Sequence, residues 1–250
     1  MNAWKMFKKK SLLKGRRASL LGEKHKRKLI HFSSNMYFSK SIPLCFLLLS
    51  LLLQAAIGAD PLFHFCFIPE NYTANDPFSS QDSVNGLALC RGDVSSRDCK
   101  TCVTEATKEL HNRCPYNKGA IIWYDNCLFK YSNVKFFGEI DNKNKFYMYN
   151  VQSADDPTSF NVKTKELSSS LSNKAYGSPV LFATGELVLE ESMKLYGLAQ
   201  CTRNLSSLDC KKCLDGAVSE LPSCCDGKRG GRVVGGSCNV RYELYPFVNA

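Results

Sequence analysis

The feature that most constrains this chain is a cysteine pattern that occurs twice. Cys90 to Cys102 reads CRGDVSSRDCKTC, and Cys201 to Cys213 reads CTRNLSSLDCKKC. Cys114 and Cys127 return as Cys225 and Cys238, and Gly86-Leu87-Ala88 returns as Gly197-Leu198-Ala199, all displaced by 111 residues. A constant offset at every position means a duplicated module, and the rest of the chain is read against that duplication.

The formal net charge of +10 would suggest nucleic acid or an acidic membrane only if it sat on the body of the protein. It sits elsewhere. Residues 1–40 hold 12 Lys and Arg against the single acid Glu23, leaving 21 basic and 22 acidic side chains from residue 41 onward. A nearly neutral body has no electrostatic footprint for a phosphate backbone, so nucleic acid is not expected as a partner.

From Ser41 to Ala59 the chain is uncharged and Leu-rich, and it ends in the small residues Ala56-Ile57-Gly58-Ala59. An apolar core followed by a small-x-small site is the profile of a cleaved secretory signal. Residues 1–58 are therefore assigned to a basic leader and signal peptide, with Met36 as the working start and Lys40 as its basic flank. A signal-anchor is the alternative, because nineteen uncharged residues approach the length of a bilayer span; Pro43 and Gln54 favour cleavage. The expected product is secreted and extracellular, in the apoplast, with no membrane attachment once the signal has gone.

Cys45 leaves with the signal, and the other twelve cysteines divide into six before residue 128 and six after residue 200. An even count behind a secretory signal implies disulfides. The CxxC pairs Cys99/Cys102 and Cys210/Cys213 could also serve zinc or redox chemistry. An oxidising compartment argues against that, as does a body with only two histidines, His64 and His111, both in the first copy. No metal or cofactor is expected.

In each copy the CxxC falls on a helix. Ser95 or Ser96 can cap it, and Cys99, Cys102, Val103, Ala106 and Leu110 then share one face; Cys210, Cys213, Leu214, Ala217 and Leu221 repeat the pattern. Strand-like runs follow, Ala120–Tyr124 and Leu128–Tyr131 in the first copy, Arg232–Val234 and Asn239–Tyr245 in the second. Helices beside an antiparallel sheet make an α+β module, stapled by disulfides because its core alone is small. The chain reads as two such modules in tandem, residues 59–144 and 145–250.

The paired motifs, the segments CCDGKRGGRVV and CNVRYELYPF, and a secretory leader without a kinase or membrane stem resemble the plant cysteine-rich repeat secretory proteins. These carry two ginkbilobin-homologous domains, also called stress-antifungal domains, and the resemblance covers residue 60 to the C-terminus. It implies two helices against an antiparallel sheet in each module. It also implies the pairs Cys90–Cys99, Cys102–Cys127, Cys201–Cys210 and Cys213–Cys238, with Cys66–Cys114 as the remaining bridge of the first copy. In the second copy the partner of Cys225 falls near Tyr149, and the leftover Cys224 and Cys225 are expected to form a vicinal disulfide or two free thiols.

A second departure concerns length. Tyr149 to Cys201 spans 52 residues where Cys66 to Cys90 spans 24, and the extra 28 include a helical pattern, Val162–Ala175, and a strand candidate, Val180–Thr184. The first module is expected to lack one helix and at least one strand, either as a natural abbreviation or through a missing segment, and to be the less stable of the two.

In the resembled family a mannose-type sugar is held by an Asn, an Arg and a Glu, which match here to Asn150, Arg232 and Glu243. The first-copy counterparts Phe67, Ile121 and Ser132 do not match. An amide, a guanidinium and a carboxylate suit adjacent hydroxyls; on neighbouring strands, an Arg–Glu pair is equally ordinary sheet chemistry. Asn71-Tyr72-Thr73 and Asn204-Leu205-Ser206 are glycosylation sequons. Trp123, Tyr124, Phe129 and Tyr131 read as core. No Ser-His-Asp or free Cys-His arrangement is evident, and neither Glu220 nor Glu243 stands out as a glycosidase carboxylate, so an enzyme is not expected. Two binding classes remain: a defence protein that recognises mannose-containing glycans, and a protein-interaction module that engages receptor-like kinase ectodomains at the cell surface.

Overall fold

The computed structural model describes residues 4–7, 60–67, 84–190 and 193–248. These belong to one compact unit. The first module is built from β2 (Phe63–Cys66), β3 (Asn85–Cys90), α1 (Ser96–Arg113), β4 (Gly119–Trp123) and β5 (Cys127–Ser132). Its strands form an antiparallel sheet in the order β2-β4-β5-β3. The second module contains β6 (Lys145–Asn150), α2 (Pro157–Gly177), β7 (Phe182–Glu190), β8 (Met193–Cys201), α3 (Ser207–Cys225), β9 (Gly230–Gly235) and β10 (Cys238–Glu243). Its sheet runs β6-β9-β10-β8-β7, and a further strand, β1 (Trp4–Phe7), adds to the free side of β6. The fold is α+β.

The duplication accounts for the local structure. α1 and α3 start alike: Ser95 Oγ accepts from the Asp98 amide and Ser206 Oγ from the Asp209 amide, each at 3.1 Å, satisfying one of the orphan N–H groups of the first turn. α1 buries Ala106 and Leu110, and α3 buries Cys210, Leu214, Ala217, Val218, Leu221 and Cys225. The bridges are Cys90–Cys99, Cys102–Cys127 and Cys66–Cys114 in the first module and Cys201–Cys210, Cys213–Cys238 and the vicinal Cys224–Cys225 in the second. In both copies, CxxC ties its helix to two different strands.

α2 begins five residues before the pattern Val162–Ala175. Asp156 caps it through the Ser159 amide and Pro157 opens its first turn, where a missing N–H costs nothing. Val162 itself is exposed; the buried stripe is Phe160, Thr164, Leu167, Ser168, Leu171, Ser172 and Ala175. Three hydroxyl residues inside that stripe blur its apolar period. The strand candidate Val180–Thr184 also shifts, since β7 runs from Phe182 to Glu190.

Residues 4–7 lie in the stretch read as leader, yet they form β1, in antiparallel register with β6 from Trp4↔Asn150 to Phe7↔Tyr147. The Leu-rich stretch of the leader lies outside the described residues.

Among the described residues the first module has no counterpart of α2 or β7. The glycine of the repeated Gly-Leu-Ala shows what that does to packing. A Cβ on Gly197 would come within 2.6 Å of Leu171 and 2.9 Å of Leu167, because α2 lies directly against β8 there. A Cβ on Gly86, its counterpart on β3, would meet no described atom within 4 Å. Ala199 is fully buried while Ala88 is exposed, and Val240 and Tyr242 are buried where Phe129 and Tyr131 are only partly so.

The two sheets pack on each other through the faces that carry no helix. β4 alternates between two cores: Ala120 and Ile122 join α1, whereas Ile121 and Trp123 point the other way and pack with Leu128, Phe146 and Val234. Both faces of β4 are therefore buried, which is why Gly119–Trp123 reads as a continuous apolar run. Trp123 lies edge-on to Phe146, ring centroids 5.2 Å apart, and its indole N–H donates to the Gly235 carbonyl at 3.1 Å. Gln200 Nε2 donates to the Cys90 carbonyl at 2.9 Å. Between the modules the linker is held by Asp141, whose carboxylate takes Lys130 Nζ at 2.7 Å and whose amide donates to Ser237 Oγ.

Candidate functional site

Asn150, Arg232 and Glu243 come from three adjacent strands. Arg232 on β9 is paired with Met148 on β6 and Arg241 on β10; two residues along, Gly230 on β9 is paired with Glu243. A two-residue step keeps side chains on one face, so Asn150, Arg232, Arg241 and Glu243 share the face of the second sheet turned away from its helices. That face meets the first module.

All of them are buried, Asn150 4% exposed, Arg232 5%, Arg241 7% and Glu243 0%. Arg232 Nη1 donates to Asp125 Oδ1 at 2.6 Å, and Arg241 Nη1 reaches the same oxygen at 3.2 Å. Asp125 belongs to the first module, in the turn between β4 and β5, and about half of its side chain is exposed to solvent. Arg232 Nε donates to Asn239 Oδ1 at 3.0 Å. Arg241 Nε donates to Glu243 Oε1 at 3.0 Å, its Nη2 donates to the Tyr245 hydroxyl at 3.2 Å, and its guanidinium lies over the Phe247 ring. Asn150 stands apart from these ion pairs: its Oδ1 accepts from the Gln152 amide at 2.9 Å.

Two carboxylates therefore balance two guanidiniums in a desolvated site. Burial works against the charged form of Asp125, but Arg232 and Arg241 outweigh it and hold the carboxyl below its usual range. Burial lowers the Arg232 guanidinium to about 10, so it remains charged at neutral pH. Glu243 goes the other way. Burial raises it to about 7 in spite of Arg241, and its Oε2 is shut off from solvent with no hydrogen-bond partner. That oxygen lies where a Cβ on residue 230 would stand, so only glycine fits opposite Glu243.

The space left between the modules here is a cavity of about 40 Å³ lined by Arg91, Asp125, Gln200, Thr202, Arg232 and Asn239. It has room for ordered water and is far below the roughly 300 Å³ at which small-ligand pockets begin. As the structure stands, Arg232 binds a carboxylate of its own chain. Asp125 and Arg241 were absent from the sequence reading. The signal for Arg241 was a basic residue two positions before Glu243 on the same strand-like run; Asp125, 107 residues from Arg232, left none.

Trp123 and Tyr124 are buried, Trp123 between the modules, while Phe129 and Tyr131 are partly exposed on the face without a second helix. The first-copy positions Phe67, Ile121 and Ser132 lack the sugar-type side chains, and Ile121 packs in the intermodule core. Asn71 lies outside the described residues. Asn204 is half-buried, with its Oδ1 shielded from solvent and unpaired, so the loop does not present it freely. His64, Cys66 and Cys114 come within 4.8 Å of one another, but both sulfurs are committed to their disulfide. Glu220 Oε1 and Oε2 accept from Lys145 Nζ and the Tyr147 hydroxyl at 2.6 and 2.5 Å, tying α3 to β6. No described helix is long and apolar enough to cross a membrane.

The model of a family described as salt stress response/antifungal matches residues 32–134 and again 147–245. An antimicrobial ginkbilobin-2-like protein from Castanea crenata is 64% identical over 241 residues, covering 86% of this chain and all of the relative. That share is about 215 residues here, so roughly 26 aligned positions of the relative have no counterpart, close to the 28 by which the first copy is shorter than the second. Cysteine-rich repeat secretory protein 38 of Arabidopsis thaliana is 57% identical over 179 residues, 71% of each chain. Among solved structures, the tandem DUF26 ectodomain of the Arabidopsis thaliana cysteine-rich receptor-like protein PDLP8 matches with a TM-score of 0.60 at 23% identity, over 76% of this chain and all of that one. The corresponding ectodomain of PDLP5 matches with a TM-score of 0.52 at 25% identity, over 85% and 97%.

Proposed function

Since this chain belongs to the salt stress response/antifungal family, as a cysteine-rich repeat secretory protein with two ginkbilobin-homologous modules, we propose that it is a secreted, non-catalytic binding protein of plant defence or stress response. The observation that carries this is the 64% identity to an antimicrobial relative over that relative's whole length. The disulfide density suits the oxidising apoplast. The polar cluster offers no reaction centre: its carboxylates serve arginines, and no nucleophile stands beside a base.

The geometry favours contact with another protein's surface over capture of a sugar. Arg232 and Glu243 are turned toward the first module and engaged inside the chain, and the cavity beside Arg232 is too small for a pyranose. A receptor ectodomain at the cell surface is the partner class that this reading takes, in line with the ectodomain use of the same tandem architecture in PDLP5.

Recognition of mannose-type glycans is the second reading, favoured by one observation: Asn150, Arg232 and Glu243 share a face, and the Glu243 Oε2 that packs against Gly230 has no hydrogen-bond partner. Mannan retention and surface crosslinking separate the two. If the triad is a sugar site blocked by Asp125, Asp125→Ala gains mannan binding and a further Arg232→Ala removes it. Equal, negligible retention for wild type and Asp125→Ala, with crosslinking to cell-surface proteins, supports the protein-contact reading; loss of both activities removes it.

A further inference from the structure

We propose that the outer edge of β6 is a dimerisation surface, capped within the chain by β1 and opened when β1 leaves. The inference is independent of the ligand. It starts from the strand order, in which β6 would be the outermost strand of its module were it not for Trp4–Phe7. β1 occupies only Tyr147 to Asn150 of a strand that begins at Lys145. Its residues fall in the basic leader, which a chain started at Met36 lacks and a chain started at Met1 loses on cleavage near Ala59; either way the outer N–H and C=O groups of β6 are left without β1.

Exposed edges invite pairing unless something prevents it, such as a proline, a bulge or an inward charge. β6, KFYMYN, has no proline, and its ladder with β9 runs without a register shift. Its one charge, Lys145, sits at the end and is already neutralised by Glu220 of α3. The opposite edge of the same sheet is protected: β7 carries Glu186 and Glu190 and a register shift between Val188 and Glu190.

The occupant the edge fits is a second copy of itself. β1 shows that β6 accepts an antiparallel neighbour, which is the relation a two-fold axis generates between two identical strands. With the two-fold axis at Met148, Tyr147 of each copy stands opposite Tyr149 of the other, and aromatic cross-strand pairs stabilise a ladder. Joined so, the two five-stranded sheets become continuous.

The test uses the intact chain with Met6→Pro, which removes a strand N–H from β1 and changes no residue of the modules. Wild type should sediment at 28.0 kDa and the variant at twice that, with amides 145–150 protected from hydrogen exchange in both. A peptide of residues 2–8 should return the variant to monomer. A monomeric variant, whether its 145–150 amides exchange freely or not, would overturn the proposal. So would a dimer that the peptide leaves intact. No more than one free thiol per chain in the variant, that of Cys45, checks that the six bridges of the modules remain intact.

Discussion

Arg232 and Asp125 lie 107 residues apart in sequence and meet at 2.6 Å, one from each copy of the duplicated module. Arg232 is fully enclosed, and Asp125 reaches it from a turn that is open to water on its other side. The contact converts a residue type associated with ligand binding into a clamp between sheets. Its counterpart in the first copy, Ile121, packs in the apolar core of the same interface, so the two copies have diverged into the two halves of one contact.

Asp125→Ala leaves Arg232 and Arg241 facing each other with only Glu243 as counter-charge. Because Asp125 is half exposed, water recovers part of the loss, and the expected cost is about 1–2 kcal/mol. Asp125→Asn keeps an acceptor and should cost less. Denaturant unfolding of the two variants checks the order; equal stability for Asp125→Ala and wild type would mean that the clamp carries no net energy.

Glu243 makes stability depend on pH with an unusual sign. Its folded pKa, about 7, lies above the ordinary value of 4.5, so the native state holds this proton more tightly than the unfolded chain does. Its contribution is complete below the unfolded pKa and is lost as pH rises from about 4.5 to 7, on the order of 3 kcal/mol. Asp125 and Asp141, both held low, contribute in the opposite sense and lose their stabilisation as pH falls through the acid range. Glu243→Gln should flatten the thermal-stability profile between pH 5 and 8 and gain most over wild type at the alkaline end. Parallel profiles for the two proteins would refute the assignment.

The paired glycines offer an internal control on the abbreviated first module. Gly197→Ala forces a methyl group against Leu167 and Leu171 and should destabilise by about 1–3 kcal/mol. Gly86→Ala meets open space and should be neutral or stabilising by about 0.5–1 kcal/mol, the ordinary gain for replacing a strand glycine. Chemical denaturation of the two variants measures the contrast; similar losses would mean that the face of β3 is covered after all.

Much of the architecture was legible in local sequence. The 111-residue offset identified the duplication, Ser95 or Ser96 marked the start of the first helix, and the length difference between Cys66–Cys90 and Tyr149–Cys201 pointed to a first module without a counterpart of α2, as is the case among its described residues. Disulfide partners came with the family resemblance, since spacing alone does not decide them. What stayed hidden depends on long-range packing. The run Ala120–Tyr124 was read as a strand, but its lack of alternation, the sign of burial on both faces, was not drawn on, so the second sheet behind it went unseen. The stripe of α2 is interrupted by Thr164, Ser168 and Ser172, which hydropathy does not mark as buried. Arg232 and Glu243 were placed on the right strands and Asn150 on none, and that the face they share is enclosed follows only from the intermodule contact, which no local pattern encodes.

The most direct test of sheet-on-sheet docking is the fluorescence of Trp123. The chain has two tryptophans, so Trp4→Phe leaves Trp123 as the single emitter. At 3% exposure and wedged against Phe146, it should emit at short wavelength and resist quenching by acrylamide. Red-shifted emission with quenching close to that of free tryptophan would mean that the modules move independently, leaving Arg232 and Glu243 open to solvent and the clamp by Asp125 unformed.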